Sequence, residues 1–361
     1  LHFFPTRRSS DLRLGRMGGP FLAPTWWPCN TAELPDRYNI PLPDDEISAS
    51  FCFSVEQSDK IRRCEDFKHS FLNSTVCVHD TPHHDDLSVF VELIRAHFDL
   101  QIQAQAWAQD LDGAYRQFPL RDPRDGFCIL QLGSGPLLLQ HHALSFGAVS
   151  SVWGFNRAAD ALCFLARRIF QICVGHFVDD FVGIENSQTI HSGFDAFSAV
   201  FRCFGLNMKD KKSLAPSSHQ KILGVMVHIR DSDIVLSPHP DRLEKLRNAL
   251  LKIQTQQFLS VLEAQRIAGK LVFLTSSLFG QLGKSAIHPF YVFAHSGAKD
   301  VHHDALPVAM NCAIRTLLML FDALQPRLIS TRVLSRPGVL YTDAFFKKGD
   351  HTFSAGHCCP T

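Results

Sequence analysis

His176-Phe177-Val178-Asp179-Asp180-Phe181-Val182-Gly183 decides the reading of this chain. Two adjacent carboxylates interrupt an apolar run that alternates as a strand does. The stretch reads as a β-hairpin. Phe177 and Val178 end one strand, Asp179 and Asp180 lie at the tight turn, and Phe181 and Val182 begin the return strand. Aspartates among apolar residues are costly unless a cation pairs with them, and a divalent metal ion is the usual solution. The competing reading is a plain surface turn. What tips the balance is a third carboxylate, Asp110, in a similar apolar setting upstream.

The order of elements between Asp110 and Val227 supports that link. Gln105–Leu120 reads as a strand and then a turn or short helix. Phe127–Leu132 and Leu137–His141 flank Gly133-Ser134-Gly135-Pro136, a hairpin signal. A helix is expected from about Ser151 to Cys173, before the Asp-Asp hairpin. A second follows from about Ser187 to Phe204, stopping at Gly205. Lys209-Asp210-Lys211-Lys212 is a cationic turn, and Ile222–Val227 reads as one further strand. With the first hairpin set aside, this is a split β-α-β-β-α-β unit, which brings Asp110 beside Asp179 and Asp180.

Composition sets the limits. The 361 residues suffice for two or three domains or subdomains. Lys+Arg total 36 and Asp+Glu 35, so a nucleic-acid partner must be held by a local basic cleft, not by a global field. The 11 cysteines form no C-x-x-C pairs and no secretory signal is evident, which predicts free thiols and an intracellular protein, nuclear or cytoplasmic. The longest apolar stretch, Val308–Leu324, is broken by Asn311, Arg315 and Asp322, so no membrane span is expected.

Further out the signals vary. Phe4–Leu12 resembles the translation of a sequencing-library adapter, so residues 1–12 are set aside as an artefact. Residues 13–50, rich in Pro and Gly, read as an irregular lead-in. Lys60–Lys68 alternates apolar and charged residues, as an exposed strand with cations on one face would. His79–Asp86 is dense in His and Asp, but its spacing fits no common zinc site, and a polar helix N-terminus is the better reading. Leu87, Phe90, Leu93, Ile94 and His97 then share one helix face. After Pro238 the pattern turns helical. Leu243, Leu246, Leu250 and Ile253 mark one helix, Ser260–Glu263 is a capping box opening another, and a third covers about Val308–Leu324.

Set side by side, these motifs resemble a reverse transcriptase. Asp110-x-x-x-Ala114-Tyr115 is similar to the family's first palm motif, and Phe177-Val178-Asp179-Asp180 to its aromatic-x-Asp-Asp motif. Lys60-x-Arg62-x-x-x-Asp66-Phe67 is similar to the fingers strand that holds the incoming triphosphate. Leu144-x-Phe146-Gly147 is similar to the nucleotide-pocket motif, with Ser145 where Pro is common. Gly205–Lys212 is similar to the motif whose Lys faces the pyrophosphate, and Ile222-Leu223-Gly224 to the start of the primer grip. The motifs occur in the family's order over roughly residues 55 to 230. Ala264–Leu271 and Phe146 look most like the tyrosine-recombinase (DIRS-type) retrotransposons, although long-terminal-repeat elements share most of these residues.

The resemblance implies an α+β right-hand polymerase. Fingers would span 51–108, a ferredoxin-like palm 109–235 and a helical thumb or connection 236–335. It implies RNA-directed DNA polymerisation from dNTPs on an RNA or DNA template–primer, with two Mg²⁺ ions about 4 Å apart. Mn²⁺ is the alternative ion. Asp110 and Asp179 would be the main ligands, Asp180 a weaker one, and the Leu111 carbonyl a further one. Lys60 and Arg62 would face the triphosphate, Tyr115 the sugar, and Lys212 would protonate the leaving pyrophosphate. A decayed element that binds nucleic acid without polymerising is the alternative. An RNA-dependent RNA polymerase is disfavoured because Tyr115 would clash with a ribose 2′-hydroxyl. Finally, Val339–Ala344 resembles the first strand of a ribonuclease H domain, with Asp343 at its first carboxylate. Residues 336–361 would then be only the start of such a domain, unable to complete a metal site.

Overall fold

A computed structural model describes residues 11, 13–21, 49–57, 60–77, 79–121, 126–132, 135–276, 283–295, 306–331, 341–345 and 354–358. For 20–21, 54–57, 60–62, 131–132, 135–136, 276, 341–345 and 354–358 the backbone alone is described. The adapter-like start therefore lies outside the described residues, Asp11 apart.

The strands in chain order are β1 (Met17–Phe21), β2 (Ala49–Gln57), β3 (Lys60–Glu65), β4 (Ala104–Asp110), β5 (Phe127–Leu132), β6 (Gly135–His141), β7 (Val174–Phe177), β8 (Asp180–Asn186), β9 (Leu214–Ser217), β10 (His219–Ile222), β11 (Val225–Ile229), β12 (Asp233–Pro238), β13 (Arg327–Ser330), β14 (Tyr341–Phe345) and β15 (Ser354–Cys358). The helices are α1 (Leu87–Asp99), α2 (Val149–Phe170), α3 (Ile190–Cys203), α4 (Pro240–Gln256), α5 (Val261–Ser276), α6 (His288–His295) and α7 (Val308–Asp322).

The central sheet has the order β7-β8-β4-β9 with antiparallel neighbours. With α2 after β4 and α3 after β8, this is the split β-α-β-β-α-β unit. Its last strand is β9, however, and not the Ile222–Val227 stretch. That stretch is a hairpin. Ile222 ends β10 and Val225 begins β11, with Leu223 (φ 47°) and Gly224 (φ 79°) making the turn between them. An unbroken apolar run hid that turn, and only Gly224 signals it.

Period-2 alternation on β4 and β8 sorts two cores to the two faces. Trp107, Leu111 and Phe181 join Phe155, Leu162, Phe197 and Phe201 beneath α2 and α3. Ala104, Ala106, Val182 and Ile184 join Phe90 and Ile94 of α1, together with Ile222, Val227 and Leu236. Asp86 caps α1, its side chain accepting from the Ser88 and Val89 amides, so the polar stretch before Leu87 opens a helix as expected. Gly183 has no room for a side chain, because a Cβ there would lie 2.1 Å from the Trp107 ring.

A second sheet, β1-β6-β5-β2-β3, holds the Gly-Pro hairpin and the Lys60 strand. β1 lies inside the stretch read as an irregular lead-in. Met17 is buried there against Cys128 and Leu139 of the strands it joins. A third sheet, β10-β11-β12-β13, brackets helices α4–α7, whose own core includes Leu250, Leu271, Phe290 and Ile314. Pro240 sits at the first turn of α4, and the Glu263 amide donates to Ser260 Oγ (3.2 Å), half of the expected capping box. Among the described residues, no helix is long and apolar enough to cross a membrane.

Candidate active site

β7 and β8 pair with Phe177 opposite Asp180, which leaves Val178 and Asp179 as a two-residue turn. Asp180 is thus the first residue of β8, one position later in the hairpin than the sequence suggested. Val178 adopts φ 53°. A β-branched residue in the left-handed region is strained by about 1–3 kcal/mol and persists only where its surroundings hold it. This conformation, disfavoured for valine, is why turn propensities misplaced the bend.

The β4–β8 ladder continues to the end of both strands, so Asp110 lies directly across from Asp180. Residues two apart share a face, and both aspartates point away from the aromatic core. Like charges facing each other across a ladder repel. The electrostatics reflect this crowding. Burial pushes the Asp179 carboxyl up, and the charge of Asp110 pushes it further. Asp180 is raised by desolvation, then by Asp179 and Asp110. Asp110 is 5 % exposed, and its Oδ1 is buried with no hydrogen-bond partner. Its Oδ2 accepts from Lys212 Nζ at 2.5 Å, and that bond raises the lysine. Asp110 and Asp180 face each other across the ladder with Asp179 next to them in the turn. Carboxylates with one unsatisfied buried oxygen are the hard donors that divalent cations such as Mg²⁺ take, although the oxygens of all three do not come within 4.8 Å of one another. Leu111 forms a bridge with Met208 in which the bonds run from Lys209 N to Asp110 O and from Asp112 N to Asn207 O. The Leu111 carbonyl takes no part in them.

Gly113 (φ 66°) ends the Asp110 strand and opens a short 3₁₀ turn carrying Tyr115 and Arg116. The Tyr115 ring packs edge-on against Phe155 (5.1 Å) and tilted against Phe146 (5.4 Å). Its hydroxyl is pushed up to about 12, by burial first and by nearby Asp179 second. Arg116 is buried and donates to the Ala143 carbonyl (3.0 Å), fixing the turn against the end of β6. Beside it Glu65 bonds Arg63 (2.6 Å) and His141 (3.1 Å). Burial alone would raise Glu65, but His141 and Arg63 outweigh it and the carboxyl is lowered.

Gly147 joins this cluster to the second sheet. It has φ 95°, a Cβ there would lie 2.9 Å from the Glu65 carbonyl, and its own carbonyl accepts from Asn73 Nδ2 (3.0 Å). Tyr115, Phe146 and Gly147 are therefore one surface next to Asp179. Lys60 and Arg62 lie on β3 opposite Gln57 and Val55, but their side chains fall outside the described residues.

A groove of about 1500 Å³ runs from Asp110 and Asp180 across to the helices. Lys211, Lys212, Lys221, Arg242, Lys245, Arg266, Lys270 and Arg327 line it, so a near-neutral chain presents a local cationic channel. Most of these cations were missed in the sequence reading. Arg242 and Lys245 at i,i+3 and Arg266 and Lys270 at i,i+4 were the available signal, since each pair shares a helix face. Arg242 also lies over the Phe273 ring at 4.9 Å.

Asp343 stands apart from all of this. It lies on β14, paired with Gly356 of β15, and its side chain is outside the described residues. The second strand was not foreseen, because 354–358 shows no apolar alternation.

The sequence matches no protein-family model and no curated protein. Solved structures do match. The foamy viral protease-reverse transcriptase in complex with double-stranded DNA superposes with a TM-score of 0.58 at 13 % identity, over 98 % of this chain and 65 % of that one. Its dRH form with double-stranded DNA gives 0.59 at 13 %, over 97 % and 54 %. The complex with an RNA/DNA hybrid gives 0.55 at 14 %, over 87 % and 40 %. This chain therefore spans between two fifths and two thirds of those proteins, and at that identity it is the fold, that of a reverse transcriptase, that is shared.

Proposed function

We propose that this chain is an RNA-directed DNA polymerase that extends a primer 3′-hydroxyl with dNTPs on an RNA or DNA template. One observation carries the reading. Asp110, on one strand, and Asp179-Asp180, on a hairpin nearly seventy residues later, converge at one end of one sheet, with a buried oxygen left unsatisfied. The reverse-transcriptase fold and the cationic groove beside those carboxylates support it.

In this reading β2 and β3 belong to the fingers (51–108), the palm (109–235) carries the catalytic end of the central sheet, and α4–α7 form the thumb. Asp110, Asp179, Asp180 and the Leu111 carbonyl would hold two Mg²⁺ ions, with Mn²⁺ as a substitute. Bound there, the metals would activate the 3′-hydroxyl and neutralise charge on the phosphates. Tyr115 underlies the sugar, with Phe146 and Gly147 as the adjoining wall. Lys60 and Arg62 bind the triphosphate. Lys212 gives its proton to the departing pyrophosphate, for which it must first leave Asp110. The groove lysines and arginines hold template–primer phosphates, so affinity should fall with salt by a log–log slope of about −0.9 per contact.

The element is a retrotransposon acting in the nucleus or cytoplasm. Ala264–Leu271 and Phe146 favour the DIRS-type class. Asp343 is read as the first carboxylate of a ribonuclease H domain. The experiment is primer extension with Mg²⁺ on matched RNA and DNA templates. Extension on RNA supports the proposal. Binding without extension would favour a decayed element instead.

A further inference from the structure

The His-Asp stretch at 79–86 has no role in the chemistry above, yet two of its residues reach the catalytic hairpin. Asp85 grips β7 by its backbone. The Asp85 amide donates to the His176 carbonyl (3.0 Å), and Asp85 Oδ2 accepts from the His176 amide (3.0 Å). That approach needs Gly175, because a Cβ there would lie 2.5 Å from Asp85 Oδ2. Arg167 of α2 closes the clasp, donating to the Val174 carbonyl (2.7 Å) and standing 3.6 Å from Asp85. His84 packs on the Phe177 ring at 5.2 Å.

The clasp leaves the His176 imidazole in one place. The residue is 1 % exposed, and the ring lies nearly parallel to Phe181 at 5.7 Å. Nδ1 lies 3.0 Å from the Val178 carbonyl, and Nε2 lies 3.0 Å from Asp160 Oδ1 on α2. Both ring nitrogens are thus within hydrogen-bond distance of an oxygen. One of these bonds ends on the residue whose left-handed conformation aims Asp179. A strained turn needs such a restraint, and groups that orient a metal ligand from behind typically matter 10–100-fold in metal affinity or activity.

We propose that His176, braced by Asp160 and clasped by Asp85, is a positioning residue that fixes the turn at Val178 and thereby the Asp179 carboxylate. The inference rests on the polymerase reading only for what the metal is used for. The test reads Mn²⁺ binding by electron paramagnetic resonance, counting the ions whose binding is lost in Asp179→Asn. His176→Phe keeps a ring against Phe181 and removes both hydrogen bonds. Asp160→Ala removes the brace from a side chain that is 57 % exposed, where the fold tolerates change. The expected result is a rise of about tenfold in the Mn²⁺ dissociation constant for His176→Phe and a smaller rise for Asp160→Ala. Template–primer affinity should stay within twofold, and any loss of extension should fall on kcat, not on the dNTP KM.

If His176→Phe does not fold, Asp160→Ala alone decides. Unchanged Mn²⁺ affinity in the folded variants overturns the inference, as does a wild-type chain that binds no hairpin-dependent Mn²⁺. The predicted shift in a chain that never extends a primer would leave the positioning role standing and remove the polymerase reading.

Discussion

Asp180→Asn should stabilise the metal-free protein and destabilise it relative to wild type once Mg²⁺ is added. Asp180 faces Asp110 directly across the β4–β8 ladder. Cross-strand pairs of this kind sit about 5 Å apart at Cβ. At an effective dielectric of about 20, two charges at that separation repel by roughly 3 kcal/mol. Two features reduce this. Asp180 is exposed, and Lys212 already pairs with Asp110. A residue of about 1 kcal/mol is then a fair expectation. For a chain of 361 residues that corresponds to a melting point about 1–2 °C higher in EDTA. With Mg²⁺ the order reverses. A wild-type site at a metal concentration about a hundredfold above its dissociation constant gains about 2.7 kcal/mol, which the variant loses in part. Differential scanning fluorimetry in EDTA and in Mg²⁺, with Asp112→Asn as a control, reads both signs. An Asp180→Asn protein that melts below wild type in EDTA would refute the argument that these carboxylates repel one another in the folded state.

Tyr115→Ala should relax sugar selection, because the ring packed on Phe146 and Phe155 stands beside Asp179; the check is the ratio of ribonucleotide to deoxyribonucleotide incorporation, which should rise at least tenfold. Asp179 and Asp180 are raised in the metal-free site, so protons should compete with Mg²⁺ there, and Mg²⁺ affinity measured by titration should decline on acidification at a pH above the ordinary aspartate range. Metal-free stability should move the opposite way. The raised groups contribute stability that is complete below the unfolded aspartate pKa and is lost as pH rises through the folded value, as unfolding in EDTA across pH would show. Gly147→Ala places a methyl 2.9 Å from the Glu65 carbonyl at φ 95°, which should cost about 2 kcal/mol, lower the melting point by several degrees and raise the dNTP KM.

Much of the candidate site was legible because it follows from period. Alternation around Asp110 and around Asp179-Asp180 marked two strands, and the intervening helical stretch required them to lie in one sheet. What stayed hidden depends on contacts far along the chain or on disfavoured backbone. β1 exists because Met17 finds Cys128 and Leu139, over a hundred residues away, and nothing local announces it. The bend at Val178 and the turn at Leu223 put branched or bulky residues at positive φ, against their own preferences. His176 read as one more residue in an apolar run. Only the fold shows that it joins Val178 to Asp160, and that Asp85, outside every catalytic motif read from the sequence, holds it from behind. The groove cations are spread from Lys211 to Arg327, and only the packing of sheet and helices brings them along one channel.

The central claim is that Asp110, Asp179 and Asp180 together form a metal-dependent nucleotidyl-transfer site. The most direct measurement is single-turnover incorporation of one dNTP on an RNA-templated primer with Mg²⁺, comparing wild type with Asp179→Asn at matched template–primer occupancy. A carboxamide keeps the shape and burial of Asp179 but cannot hold Mg²⁺ as a carboxylate does. The wild-type chain should incorporate the nucleotide, the variant should lose at least a thousandfold, and the template–primer dissociation constant should stay unchanged within twofold. Incorporation by Asp179→Asn within tenfold of wild type would contradict it.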